Sequence, residues 1–551
     1  MTAGVPSART LPELLRDTAA AAPEHDALVT DEGRWTYAQL LGEVDAAAAA
    51  LATRGVGRGD TVALLIPNTA QWLIAAFAGL SLGARVDAFN TWVKAYDLDH
   101  LLRVSGASTL VMVDDVRGRS LLHELNVLLP ELWAQPAGEL HSTSYASLRR
   151  ALVIGDDVPP GAESWHEAVT GASGAPAGAD EGRGDAGRDD EPAFVVYTSG
   201  STSTPKAVPL CHRNLVVNGF HIGERMGLSA DDRVWFGSPL FWSFGCANAL
   251  MATLTHGACL VLQGRFEPRS AVETMAAEGV TAAYLLPAMV DALAREVPAA
   301  MRAVTTLRTG VMIGRPEEIT RAAVELGVTE ICNIYGSTET YGNCCVTDHR
   351  WPLERRAASQ GEPLPGVQVR VVDPDTGVEL PAGQPGELQV TGRVTPGYLG
   401  DAEANAEAFT ADGWFRTGDR MLVNPDGTVV FVGRISDMIK SSGINVSPAE
   451  VESFLSTHPS VGEVVVLGAP HPTRDEVVVA YVVPKDATGG ELTAQAVIDY
   501  CKERLAGYKI PWAVEIVDEL PHTVTGKLVR KDLRAPAAEL VNAMLSSRGD
   551  V

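Results

Sequence analysis

The chain is short of positive charge. Its 551 residues hold 44 Lys and Arg against 69 Asp and Glu, a net charge of −25. So acidic a protein is not a general polyanion binder, which excludes a non-specific nucleic-acid protein. A small phosphate ligand stays possible, because it needs only a local cluster of donors. Paired cysteines are lacking too: the seven present show no CxxC spacing, so neither a disulfide framework nor a zinc site is expected. The adjacent Cys344 and Cys345 read as buried small apolar residues. There is no uninterrupted hydrophobic span. The most apolar window, TVALLIPNTAQWLIAAFAGLSLGA (61–84), is broken by Pro67, Asn68 and Gln71 and reads as strand, cap and helix. No amino-terminal stretch has the charged, apolar and small-residue order of a signal peptide, so the expected location is the cytoplasm.

What is present is the composition of a soluble globular protein, 46% apolar and 21% charged. The length exceeds one core and implies at least two domains. Through residues 1–430, strand-like runs alternate with periodic helical stretches, the pattern of an α/β protein: DTVALLI (60–66), STLVMVDDV (108–116), ACLVLQ (258–263) and TAAYLLP (281–287) are strands. Asn68 and Gln71 resemble a capping box for the helix after the first of them. The segment 170–191, almost without large apolar residues, is expected to be a mobile surface linker. In the tail, Ser447 reads as a helix cap with Pro448 at the first helical position. EVVVLGAP and EVVVAYVVP then give two strands, and TAQAVIDYCKERLAG (493–507) a helix. High alanine, arginine and glycine usage points to a GC-rich bacterial genome.

Two patterns are decoys. GRGDAG (182–187) matches G-x-G-x-x-G but lies in the polar linker, without the strand and helix that a dinucleotide site requires. GLSLG (79–83) matches the serine-hydrolase pattern G-x-S-x-G, yet Ser81 falls at the trailing end of a helix with Gly83 as its stop, not on a strand-to-helix turn.

At 197–206 the chain reads YTSGSTSTPK, behind the apolar run AFVV. A hydroxyl-rich loop leaving a buried strand suits an anion. It is not a Walker A loop, since Lys206 follows Pro205. Its hydroxyls and backbone N–H groups can still wrap a polyphosphate, with Lys206 as point charge; a plain polar surface loop is the other reading. Four further stretches share its character: YGSTET (335–340) behind ICNI, GWFRTGD (413–419), GRISDMIKSSGINVSPAEVE (433–452) and PHTVTGKLVRKDLR (521–534).

In this order the five stretches resemble the adenylate-forming superfamily, which includes acyl- and aryl-CoA synthetases, nonribosomal adenylation domains and firefly luciferase. The resemblance spans nearly the whole chain. FNTWVKAYDLDHLLRVSGASTLV (89–111) and TGVMIGRPEE (309–318) look most like fatty- and medium-chain acyl-CoA ligases. The fold it implies is a large amino-terminal domain (1–432) of doubly wound sheets with a β-barrel-like subdomain. A hinge at 433–437 and a small mobile α/β domain (438–551) follow.

The resemblance also implies roles. Thr198, Ser199, Gly200, Ser201, Thr202, Ser203 and Lys206 form the loop gripping the β- and γ-phosphates of ATP, and Glu339 with Thr198 holds Mg²⁺. Tyr335, Gly336, Ser337 and Thr338 border the adenine and α-phosphate, opposite Gly310, Val311 and Met312. Asp419, helped by Arg434, holds the ribose. Lys527 bridges the acid carboxylate and the α-phosphate; with Glu339 and Thr338 it belongs to the catalytic set. After adenylation the tail rotates at Ser436, presenting the loop at Gly443 to the thiol and turning Lys440 to the site. Trp242, Phe244, Val311, Met312 and Gly336 make an apolar slot for the acid, with core packing as the competing reading.

Three positions depart from the family: Ser203 and Ala207 stand where glycine is usual, and Ser436 where Asp or Lys is usual. The implied reaction joins an acid to CoA through acyl-AMP. The alternatives are an amine or carrier-protein acceptor, nitrite activation for diazo formation, or, remotely, hydrolysis at Ser81. A monomer and a homodimer are both compatible with the sequence.

Overall fold

The computed structural model describes residues 4–172, 188–198, 205–441, 444–446, 448–472, 474–485, 492–502, 505, 509–523 and 528–548, without the side chains of Ser436, Lys440, Ile444, Asn445 and Asp475. The chain divides into two compact units, Met1–Val369 with Val390–Phe415, and Arg370–Gln389 with Arg416–Val551. The hinge expected at 433–437 lies inside the second unit.

Two sheets carry the first unit. The seven-stranded sheet runs Lys206–Cys211, Pro192–Thr198, Arg85–Ala88, Thr61–Leu65, Thr109–Val113, Arg150–Ile154, Glu163–Ser164. Its pairs are parallel except the first, which is antiparallel. In the nine-stranded sheet, Glu330–Tyr335, Thr309–Met312, Ala282–Leu285, Arg233–Phe236, Cys259–Leu262 and Asp26–Thr30 lie side by side and parallel. Such strands are covered on both faces, which is why they read as continuous apolar runs. All five residues of Thr61–Leu65 are buried, and the helix Ala70–Ser81 is buried from Trp72 through Leu80.

The expected capping box at that helix is not formed. Thr69 is the N-cap residue. Asn68 instead donates to Ser238 O (2.7 Å) and Gln263 O (3.1 Å) and accepts from Leu240 N (2.8 Å), tying the end of one sheet to loops of the other. Gln71 Oε1 accepts from Trp165 Nε1 at 2.7 Å. A fully enclosed amide is worth more across a sheet interface than at a helix end, because buried polar groups must find partners. Ser81 closes the helix and Gly83 follows at φ +79°, the left-handed stop expected of it. No nucleophile elbow exists there, which removes the hydrolase reading.

Of the segment 170–191, residues 170–172 belong to the helix Trp165–Ala172. Arg188 is buried and donates to Leu80 O at 3.1 Å. Residues 173–187, including the GRGDAG decoy, lie outside the described residues. All seven cysteines are buried and unbridged, Cys344 and Cys345 among them. No described helix is long and apolar enough to cross a membrane.

A four-stranded sheet, Gln368–Val372, Gly386–Thr391, Phe415–Val423 and Val429–Arg434, has most of its residues in the second unit. The tail of that unit is organised by a long hairpin, Val461–His471 with Asp475–Pro484. Strand alternation sends Val466, Val478, Ala480 and Val482 to one face, under Val451, Leu455 and Val497. Val465, Leu467, Val477, Val479 and Tyr481 face the other way, under Leu533, Ala537, Val541 and Leu545 of the helix Arg530–Arg548. Ser447, read as the cap of Pro448–Leu455, lies outside the described residues.

Candidate active site

The hydroxyl-rich loop has a fixed base. Pro192–Thr198 turns back as Lys206–Cys211, and Thr198 pairs directly with Lys206. Tyr197 OH donates to the buried Asp87 (2.6 Å), which Arg85 also engages at 2.7 Å. Burial holds the Asp87 carboxyl above its usual range even against Arg85. Ser199, Gly200, Ser201, Thr202 and Ser203 lie outside the described residues.

The second element is a tight turn. Glu330–Tyr335 delivers Gly336 and Ser337 to a single helical turn, Thr338–Thr340, after which Tyr341 (φ 59°) and Gly342 (φ 85°) take left-handed backbone. Left-handed backbone is uncommon for a bulky residue and persists only where surroundings enforce it. Here Asn218 Nδ2 donates to Tyr341 O (3.2 Å) and Asn343 O (2.9 Å), while Tyr341 OH accepts from Cys211 N (3.0 Å) and Asn214 (3.2 Å). Arg393 Nε donates in turn to Asn218 Oδ1 at 3.2 Å. Burial lowers the Arg393 guanidinium to about 10, so it stays charged at neutral pH. A Cβ on Gly336 would sit 2.3 Å from Gly342 O, so that position serves the close approach of two backbone segments.

Asn218→Ala deletes both donors and leaves Arg393 Nε without its acceptor. We expect a loss of about 2–3 kcal/mol, read as a lower denaturant midpoint for the transition of the first unit.

These locks fix Glu339, which is partly exposed. Tyr398 OH donates to Glu339 Oε1 at 2.8 Å, and Thr395 N donates to Glu339 O at 2.7 Å. Burial first, then the Glu339 charge, pushes the Tyr398 phenol far above its ordinary range, so it remains a donor. Lys206 Nζ stands 4.7 Å over the centroid of the same ring. Thr338 Oγ1 lies 3.0 Å from Ser243 Oγ, whose chain neighbours are Trp242 and Phe244.

Lys206, Glu339, Thr338, Trp242 and Phe244 are thus gathered through Tyr398 and Ser243, which the sequence reading did not name. Trp242 is edge-on to Trp92 (5.4 Å), and Phe244 packs on Tyr284 (5.1 Å) and Phe236 (6.1 Å). Both remain partly exposed, unlike core residues.

One part of the expected slot needs correction. Val311 pairs in register with Tyr284, whereas Met312, the next residue on the strand, packs with Met289 and Ile319 in the core of the opposite face. Consecutive strand residues point to opposite faces, so only the backbone of Met312 can border a ligand. Gly310 is pressed against its neighbour: a Cβ would lie 2.1 Å from Ala283 O.

In the second unit, Asp419 pairs in register with Arg434, whose Nε is 2.8 Å from Asp419 Oδ1. Asp419 is buried and Arg434 exposed. Gly443 and Lys527 lie outside the described residues, as do the side chains of Ser436 and Lys440.

The family pattern described as "AMP-binding enzyme" matches residues 15–399, and "AMP-binding enzyme C-terminal domain" matches 450–527. The chain belongs to the AMP-binding enzymes. Among its relatives is YngI of Bacillus subtilis (strain 168), provisionally named an acyl-CoA synthetase. It is 34% identical over 97% of this chain and 98% of its own length. The feruloyl-CoA synthase of an Amycolatopsis species is 33% identical over 91% and 93%. The mitochondrial medium-chain acyl-CoA ligase ACSF2 of Homo sapiens is 30% identical over 96% and 87%. Among solved structures, ATP-bound MatB from Rhodopseudomonas palustris superposes with a TM-score of 0.83 at 26% identity, covering 97% of this chain and 99% of that one. The anthranilate CoA ligase AuaEII with anthranoyl-AMP gives 0.83 and 26%, covering 97% and 98%. In this AMP-binding enzyme the matched region 15–399 ends one residue after Tyr398, so every residue of the cluster above falls within it.

Proposed function

We propose that this AMP-binding enzyme is an ATP-dependent acid–CoA ligase. It converts an acid and MgATP to acyl-AMP and pyrophosphate, and the CoA thiol then displaces AMP. The observation that carries the reading is the cluster in the first unit. A lysine with no ion-pair partner among the described residues and a carboxylate with one oxygen that none of them engages share one tyrosine, beside partly exposed aromatics.

The residues fit MgATP. Among the described residues, Glu339 Oε2 has no protein donor and the buried Ser337 Oγ has no hydrogen-bond partner. Mg²⁺ takes one or two carboxylates alongside phosphate oxygens, so Glu339, with Thr198, would hold it. The bound metal supplies charge neutralisation between phosphate and incoming carboxylate. Lys206 meets the β- and γ-phosphates, and Tyr335, Gly336, Ser337 and Thr338, with the strand backbone at Gly310, Val311 and Met312, flank the nucleotide. Asp419 takes the ribose hydroxyls, its carboxylate oriented by Arg434. Trp242, Phe244 and Val311 shape the acid site, where each methylene discriminates by only about 1–3 kcal/mol. Lys527 serves adenylation. Rotation about 433–437 through Ser436 then brings Gly443 and Lys440 to serve thiolysis.

Pyrophosphate release measured over aliphatic and aromatic acids and nitrite, each with CoA, amine or no acceptor, tests this. We expect release with an acid alone and acyl-CoA only when CoA is added. Release confined to nitrite or to amine-containing reactions overturns it.

A further inference from the structure

Opposite charges that share one neighbour in a partly dehydrated site tend to collapse into an ion pair, since their attraction strengthens as water leaves. Lys206 and Glu339 do not. Among the described residues no ion pair joins them, and the side chain of Tyr398 stands on both, its ring face under Lys206 Nζ (4.7 Å) and its hydroxyl on Glu339 Oε1 (2.8 Å). The tyrosine is itself tightly held. Asn405 brackets its peptide, accepting from Tyr398 N (2.6 Å) and donating to Tyr398 O (2.9 Å), and Leu399 N donates to Ala207 O at 3.0 Å, beside Lys206. Gly397, at φ +129°, admits no Cβ, which would meet Asn405 Oδ1 at 2.7 Å.

We propose that Tyr398 is a positioning residue that holds Lys206 and Glu339 apart and ready, one by its ring face and the other by its hydroxyl, so that phosphate and magnesium meet the two charges with no salt bridge to break. This rests on the reading of Lys206 and Glu339 given above. The hydroxyl engages only Oε1, so Oε2 is the oxygen that would face a metal. A cation over an aromatic face is exchanged for a phosphate more readily than one bound to a carboxylate, because the ring offers a far weaker counter-charge.

The two contacts are separable by substitution. Tyr398→Phe keeps the ring and removes the hydroxyl; Tyr398→Leu removes both. Isothermal titration of ATP into the full chain, with no acid present and at varied Mg²⁺, reads each contact without turnover. For Tyr398→Phe we expect the Mg²⁺ concentration for half-maximal ATP binding to rise about tenfold, the weight of one hydrogen bond to a charged acceptor. Its ATP affinity at saturating Mg²⁺ should stay within about twofold of the parent. Tyr398→Leu should show the same Mg²⁺ shift and, in addition, a roughly three- to tenfold weaker ATP affinity at saturating Mg²⁺, from the lost ring face.

An unshifted Mg²⁺ midpoint in Tyr398→Phe overturns the proposal. So does an equal loss of ATP affinity in both variants, which is the mark of a merely structural residue. Glu339→Gln in the same titration separates the two levels of argument. If it shifts the Mg²⁺ midpoint while Tyr398→Phe does not, only the role of Tyr398 falls; if neither shifts, the metal assignment falls with it.

Discussion

Replacing Lys527 by alanine is expected to slow acyl-AMP formation about a hundred- to a thousandfold while leaving ATP affinity within a few fold. In the adenylation step a carboxylate attacks the α-phosphate, so two anions meet and negative charge gathers on the equatorial oxygens. A fixed cation in a water-poor site stabilises that state more than the ground state, and losing one such donor costs roughly 3–4 kcal/mol. The flanks of the residue are well fixed: His522 bridges Leu528, Val529 N donates to Pro521 O at 2.8 Å, and the helix Arg530–Arg548 begins immediately after. Lys531, exposed on that helix, is the internal control, and Lys531→Ala should retain full activity. Single-turnover pyrophosphate formation without acceptor is the measurement. An undiminished burst in Lys527→Ala would remove this residue from the chemistry. An equal loss in Lys531→Ala would point to damage of the helix instead.

The strands and helices were legible because burial on both faces leaves a mark in composition. The runs at 61–65, 282–285 and 477–482 contain almost nothing but small or branched apolar residues. The turn after Glu330–Tyr335 was legible because hydroxyls and a glycine bunched behind an apolar run have few structural uses. What escaped was long-range demand. Asn68 looks like a cap when only its own neighbours are considered, but two carbonyls 170 and 195 residues away claim its amide. Val311 and Met312 look alike as letters, yet the register places them on opposite faces, one beside Tyr284 and one in the core with Met289.

The same cause hid Tyr398. It stands in the stretch PGYLG (396–400), far along the chain from both charged groups that it touches. An aromatic flanked by proline and glycine in a loop was the available signal, since such a rigid setting aims a side chain rather than packing it. The final helix was obscured differently. Pro536 lies inside Arg530–Arg548, where it lacks a backbone donor and ordinarily breaks the helix. Four residues at a spacing of four, Leu533, Ala537, Val541 and Leu545, bury one face against the hairpin. That burial, about 1.5–3 kcal/mol for each large side chain, offsets the loss.

Glu339→Gln carries the second large effect. The substitution preserves length and an oxygen for the Tyr398 hydroxyl, so the turn held by Asn218 should keep its shape and only the charge is lost. A neutral amide is a poor partner for Mg²⁺, which prefers hard anionic oxygen. Changes around metal sites commonly weaken affinity on the order of 10- to 100-fold, and we expect the Mg²⁺ midpoint for pyrophosphate release to rise by at least about tenfold. The maximal rate should fall as well, because charge developing on the phosphate is less well neutralised. Excess Mg²⁺ should recover part of the rate, since mass action restores occupancy; the electrostatic deficit in the transition state remains. An unchanged titration would mean that the carboxylate beside Tyr398 does not face the metal. Its hydrogen bond would then be only another lock on the left-handed turn at Tyr341, and Glu339→Gln should in that case lower unfolding stability without touching the magnesium dependence.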